Sequence, residues 1–259
     1  MSLADAIAVA QGAESVVLLG DPQQLAHVSQ GTHPHGSGAS VLEHLLGDHD
    51  TVPVGRGAFL DRTWRMHPEI CDFVSRAMYD RRLRSVEGCE RQRVDSVGLA
   101  DSGLRLIEVD HSDNRQRSLE EAAAIRTEVD RLLAGGRWTD RHGVTHDLTL
   151  DDILVVAPYN AQVRCLKAVL PPGARVGTVD KFQGQQAPVV FFSMTSSSGD
   201  DVPRGMDFLF SRNRLNVAVS RAQAMAVVVC SPALMWTQCN TVLQMQLVNM
   251  LCRFADEAS

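Results

Sequence analysis

Residues 175–194, running from Arg175 to Met194, read RVGTVDKFQGQQAPVVFFSM. Two apolar, β-branched stretches, Arg175–Val179 and Val189–Met194, flank a loop rich in hydrogen-bonding groups: Thr178, Asp180, Gln183, Gly184 and Gln186. Apolar runs without alternation predict strands covered on both faces, as in a parallel sheet. The same order of strand, polar cluster and helix recurs along the chain. Further strands are predicted at Leu104–Val109, Ile153–Ala157 and Ala226–Cys230. Helices are predicted at Pro68–Met78, Leu119–Ala134, Ala161–Val169, Arg214–Gln223 and Thr241–Ala255. The expected class is α/β, a parallel sheet flanked by helices. In such sheets ligands gather beyond the carboxyl ends of the strands, so the polar clusters there are where chemistry is sought.

Upstream, Ser2–Ala10 reads as a short helix and Ser15–Leu19 as a strand stopped by Gly20, Asp21 and Pro22. Val28–Gly38 is rich in Ser, Gly, His and Pro and predicts a surface loop. A short helix over Ala39–Leu46 and a linker over Gly47–Gly57 come next. His33 and His35 lie two apart in that loop, but no carboxylate or cysteine completes a metal set, so no metal site is expected.

With 25 Lys and Arg against 31 Asp and Glu, the net charge of -6 excludes a globally basic nucleic-acid binder, and any strand contact must be a local groove. Six scattered cysteines, none in a CxxC pair, argue against a zinc site or a disulfide scaffold and fit a reduced, cytoplasmic setting. The apolar runs are too short to span a bilayer, so no membrane role is expected.

Four clusters could carry chemistry. Gly20–Leu25 is a turn whose Gln24 can donate to a phosphate and accept from a water at once, or is simply solvated. Thr63–Pro68 pairs Trp64 with Arg65 at a helix start, where an aromatic and a guanidinium can hold a base and a phosphate; either could equally be structural. The loop 177–186 suits sugar-phosphate contacts. Over Arg212–Ala222 a helical wheel puts Leu215, Ala218, Val219 and Ala222 on one stripe, with Arg214 and Arg221 on its flank and Asn216, Ser220 and Gln223 opposite. An always-charged planar donor beside a buried stripe suits an arginine finger, although exposed arginines are commoner.

Together and in this order, the four clusters resemble the later motifs of superfamily 1 helicases, in the branch of the nonsense-decay and replication-associated enzymes. Gly31–Pro34, Leu60–Pro68 and Phe208–Asn216 are most similar to the helicase half of bacterial proteins that fuse a RecB-like nuclease to a helicase. The resemblance implies a RecA-like, P-loop NTPase-type sheet. It makes Gln24 the sensor of the γ-phosphate, and Arg65 and Arg221 the arginines that reach that phosphate across a cleft. Trp64 stands where the family has a base-stacking Tyr, and Gln186 where it has a ribose-binding Glu. With Gly184 and Arg214 these are expected on the nucleotide side; Thr178, Asp180, Gln183 and Asn216 are expected on the strand side. Gln223 replaces a residue that is usually basic.

Neither a Gly-rich Lys-Ser/Thr loop nor an acidic Mg²⁺ motif occurs in the sequence. Ser2–Ala6 resembles the residues directly after the family's acidic motif, so residues 1–50 are expected to be the tail of a first RecA-like domain and 51–259 the second. The implied function is ATP-driven helicase activity in an intact protein, with ATP and Mg²⁺ as cofactors there and none held tightly by this chain. The implied partners are single-stranded nucleic acid, DNA favoured, together with the first RecA-like domain, a RecB-like nuclease domain and, through Val16–Leu19, another copy of the chain. The rival expectation is a non-catalytic binding or regulatory module.

Overall fold

The computed structural model describes residues 1–25, 38–47, 49–199 and 202–258; Gly31–Pro34, His33 and His35 lie outside them. In chain order the elements are α1 (Leu3–Ala10), α2 (Val41–Leu46), β1 (Arg62–Thr63), α3 (Pro68–Met78), β2 (Arg84–Ser85), β3 (Arg93–Asp95) and β4 (Gly103–Glu108). Next come α4 (Leu119–Leu133), β5 (Arg137–Thr139), β6 (Thr145–Asp147), β7 (Ile153–Ala157), α5 (Asn160–Val169) and β8 (Arg175–Thr178). The last are β9 (Ala187–Ser193), α6 (Met206–Leu209), α7 (Arg212–Val219), β10 (Ala222–Cys230) and α8 (Val242–Glu257).

Five parallel strands form the central sheet in the order β4-β10-β9-β7-β8. Successive side chains of a strand face opposite sides, and both sides here are apolar. Leu154, Val156, Val190, Phe192 and Val228 pack with α3, α7 and α8. Ile153, Val155, Val189, Phe191 and Val227 pack with α4 and α5. Neighbouring Phe191 and Phe192 thus serve different cores, and each such burial contributes about 1.5–3 kcal/mol. On the α3 side, Phe73 meets Phe254 edge-on at 5.4 Å. The α/β class with a helix-flanked parallel sheet is as the sequence indicates.

Three findings depart from the sequence reading. Val16–Leu19 forms no strand; Val17 and Leu19 are 83% and 89% exposed, and no described strand pairs with them. A strand needs hydrogen-bonded neighbours, and a β-branched run alone does not supply them. The helix expected over Arg214–Gln223 ends at Val219, because Ala222–Cys230 is drawn into the sheet between β4 and β9. A small antiparallel sheet, β3-β5-β6, is a further element.

The turn at residues 21–24 lies against α7 and the carboxyl end of α3. Ser2 caps α1 and Ser40 caps α2 with a reciprocal Glu43 bond. Leu25 packs on the main core.

Candidate functional site

Two segments deliver the paired arginines. His67 caps α3, its Nδ1 accepting from the Glu69 amide at 3.4 Å, with Pro68 at the first helical position. The residues before that cap are fastened from several sides. Buried Gln92 donates to the Arg65 carbonyl at 2.8 Å, Ser85 Oγ donates to the Met66 carbonyl at 2.8 Å, and the His67 amide donates to the Gln223 carbonyl at 2.7 Å. Arg221 sits between the end of α7 and the start of β10.

The two guanidinium groups converge. Arg65 Nε donates to Gln186 Oε1 at 2.9 Å and its Nη1 to the Ser220 carbonyl at 3.0 Å. Arg221, 3% exposed, donates from Nε to the Val217 carbonyl at 3.0 Å and from Nη2 to Gln24 Oε1 at 3.4 Å. Among the described residues every one of these acceptors is a neutral amide or carbonyl oxygen, never a carboxylate. Burial lowers the Arg65 pKa. Burial first, then the Arg65 charge, lowers Arg221 to about 10, with Tyr79 and Asp21 acting in the opposite direction. Both remain cationic at neutral pH, so a buried and a half-buried like charge stand together with neither in direct contact with a carboxylate, Asp21 acting on Arg221 only from behind Gln24. Such an arrangement is costly until an anion arrives.

Gln24 is oriented from behind. Its Nε2 donates to Asp21 Oδ2 at 2.9 Å, and the same oxygen accepts from Tyr79 Oη at 2.6 Å. Burial and then Asp21 raise the Tyr79 pKa, which keeps the phenol protonated as the donor. Asn216 donates to the Gln23 carbonyl at 2.8 Å and to Tyr79 Oη at 3.2 Å, while Asn213 donates to the Gln24 carbonyl at 2.6 Å.

A separate groove of about 330 Å³ opens beyond the carboxyl ends of β7 and β8. Thr178, Asp180, Arg214, Arg164, Tyr159 and Phe208 line it. Arg204 and Arg214 lie over the Phe208 ring at 3.9 and 4.3 Å, and Arg214 Nη1 donates to Asp180 Oδ2 at 3.4 Å. Cations gathered on an aromatic ring at a sheet's ligand edge suit a phosphodiester backbone.

The structure distributes the sequence-predicted residues between these two places and the surfaces around them. Arg65, Arg221, Gln24 and Gln186 come together. Trp64 is 66% exposed beside Arg65, and Gly184, with φ 81°, turns the exposed loop two positions before Gln186. Arg214, expected on the nucleotide side, lies with Thr178 and Asp180 in the groove. Gln183 is exposed in the loop after Thr178. Asn216, expected to face a strand, is fully buried as a brace for Gln23, because α7 is covered on both sides. Asp21, Tyr79 and Gln92 were not singled out from the sequence, nor were Tyr159 and Arg164; the segment Pro158–Gln162 comes directly after the predicted strand Ile153–Ala157 and satisfied the rule applied to the other clusters.

Among the described residues no group of three His, Cys, Asp or Glu could hold a metal ion, and no helix is long and apolar enough to cross a membrane. All six cysteines are free.

Comparison with known proteins supplies the relationship. DNA polymerase alpha-associated DNA helicase A of Schizosaccharomyces pombe is 29% identical over 233 residues, covering 81% of this chain and 32% of that protein. DNA-binding protein SMUBP-2 of Mesocricetus auratus is 28% identical over 240 residues, covering 84% and 22%. Helicase sen1 of S. pombe is 27% identical over 238 residues, covering 84% and 13%. The chain thus spans about a third or less of the relatives it matches. A family profile described as an AAA domain matches residues 38–233, most of the chain. With that span and these relatives, the chain belongs to this AAA-domain family, among the superfamily 1 helicases.

Proposed function

We propose that this chain acts as the second motor domain of an ATP-dependent superfamily 1 helicase, with residues 1–50 the tail of the first RecA-like domain and 51–259 the second. The observation that carries the reading is the Arg65–Arg221 pair: a half-buried and a buried guanidinium whose hydrogen-bond acceptors are all neutral fit a terminal phosphate. Bound ATP would supply the phosphoryl group whose transfer drives translocation. Toward it, Arg65 and Arg221 would stabilise developing negative charge, and Gln24, held by Asp21, would present its amide between phosphate and Arg221. Gln186 would steady Arg65 beside the ribose. The described residues provide no carboxylate cluster for Mg²⁺, so the metal is not assigned to them.

Single-stranded nucleic acid, DNA in preference to RNA, would run along the groove of Thr178, Asp180 and Arg214. The partners of the intact protein would be the first RecA-like domain and a RecB-like nuclease domain, the latter supported by Leu60–Pro68 and Phe208–Asn216. A reducing, cytoplasmic setting accords with six free cysteines.

In the intact protein, Arg65→Ala or Arg221→Ala lowers kcat by about 10³-fold while strand binding persists. The isolated chain releases no phosphate from ATP. Equal loss of strand affinity and turnover would make the arginines backbone ligands, the non-catalytic reading.

A further inference from the structure

Trp64 stands out of the surface beside Arg65, and Arg141 lies over its ring with Cζ 5.3 Å from the centroid. Arg141 comes from a different part of the fold, the tip of the β5–β6 hairpin, and its Nη1 donates to the Trp64 carbonyl at 3.2 Å. The tip is braced to hold this contact. Asp140 Oδ1 accepts from the His142 amide at 2.8 Å and the Val144 amide at 3.0 Å, and Asp140 Oδ2 lies 3.2 Å from His146 Nε2. Gly143 turns the tip at φ 81°. Against the tip lies Gly88 at φ 99°, where a Cβ would come within 2.8 Å of the Arg141 carbonyl oxygen. Only glycine allows that approach.

We propose that Arg141 is a positioning residue for nucleobase recognition: its guanidinium holds one face of the Trp64 indole so that the opposite face receives the purine of a nucleotide. The inference rests on the nucleotide reading of Arg65 and Arg221 given above. A stacked base needs about 3.5–4 Å from each neighbouring plane, so none fits between Arg141 and Trp64 at their present separation. The base must take the face opposite Arg141, and Trp64 as a whole is 66% exposed. Tryptophan is the best ring for a cation, and a ring fixed in advance loses less rotational freedom when a base stacks on it. The hairpin thereby becomes part of the base site while Arg65 directs the phosphates.

The test is calorimetric titration of the full chain with ADP and, separately, with inorganic tripolyphosphate. Arg141→Ala weakens ADP about three- to tenfold and leaves tripolyphosphate unchanged. Gly88→Ala, which pushes the tip away without touching any charge, has the same selective effect. Equal weakening of both ligands by Arg141→Ala would make Arg141 a phosphate ligand and overturn the proposal. Tighter ADP binding would overturn it too, by showing that Arg141 occupies the place of the base. If Trp64→Ala weakens ADP but Arg141→Ala does not, Arg141 has no role and the Trp64 platform stands. If Trp64→Ala binds ADP as wild type, or the chain shows no preference for ADP over tripolyphosphate, the platform itself falls, and the reading of Trp64 as a nucleotide residue with it.

Discussion

The buried side-chain amide of Asn216 donates to the carbonyl of Gln23 at 2.8 Å, although 193 residues separate them in the chain. Through this bond and the one to Tyr79, α7 holds the turn that presents Gln24 to Arg221. Asn216→Ala leaves the Gln23 carbonyl without its donor and is expected to destabilise the fold by about 1–3 kcal/mol. Urea denaturation measures the loss. Hydrogen exchange at residues 21–25 should rise in the variant more than exchange in β9.

The Arg65–Arg221 pair, whose hydrogen-bond acceptors are all neutral, predicts that phosphate stabilises the chain. At a phosphate concentration ten times its Kd the gain is about 1.4 kcal/mol, read as a phosphate-dependent rise in Tm. The rise disappears in the Arg65→Ala, Arg221→Ala double variant. Gln186→Glu sets a carboxylate against Arg65 Nε, where the Gln186 amide oxygen accepts at 2.9 Å, and so supplies an internal counter-ion. Its Tm in phosphate-free buffer should match or exceed wild type, while its response to phosphate is weaker. A phosphate response equal to or stronger than that of wild type would show that residue 186 does not act through Arg65.

His67 sets a pH dependence. Burial first, against the raising effects of Glu69 and other acidic neighbours, lowers its pKa below the ordinary 6.5. In the fold its Nδ1 accepts from the Glu69 amide, which requires the neutral ring. The unfolded chain therefore takes up a proton at a higher pH than the folded one. The contribution is fully present above 6.5 and is lost as pH falls from there through the folded value. His67→Asn, a neutral cap, should flatten that part of the stability curve between pH 7 and 5. An unchanged slope would assign the acid sensitivity elsewhere.

Val17 and Leu19, with Ile7 and Val9 of α1, are exposed apolar side chains in the segment that precedes the Gln24 turn. Exposed apolar area of this kind favours association. Light scattering of the full chain should show concentration-dependent growth that a Val17→Ser, Leu19→Ser double variant reduces. Identical scattering from both would place any association on another surface.

The central sheet was legible because its strands are apolar on both faces, so local pattern and tertiary burial agree; Ile153–Ala157 and Pro68–Met78 emerge with their expected bounds. The β3-β5-β6 sheet was not, since segments such as Arg137–Thr139 and Thr145–His146–Asp147 are three residues long and carry no periodic signal. Arg65, Arg221, Gln24 and Gln186 were readable as candidates from residue type at strand and helix ends, and the fold brings them together. The burial of Asn216 could not be read. A helical wheel assigns the side opposite an apolar stripe to solvent, yet α7 is enclosed by the sheet on one side and the Gln23 turn on the other.

Arg221 immediately precedes β10, which is hydrogen-bonded to β4 on one side and β9 on the other, and its own carbonyl accepts from the Ala187 amide at 3.1 Å. The arginine is consequently anchored at the start of a strand paired on both sides. Its backbone is fastened between interior strands, so the reach of its own side chain is the slack through which the guanidinium can follow an approaching anion.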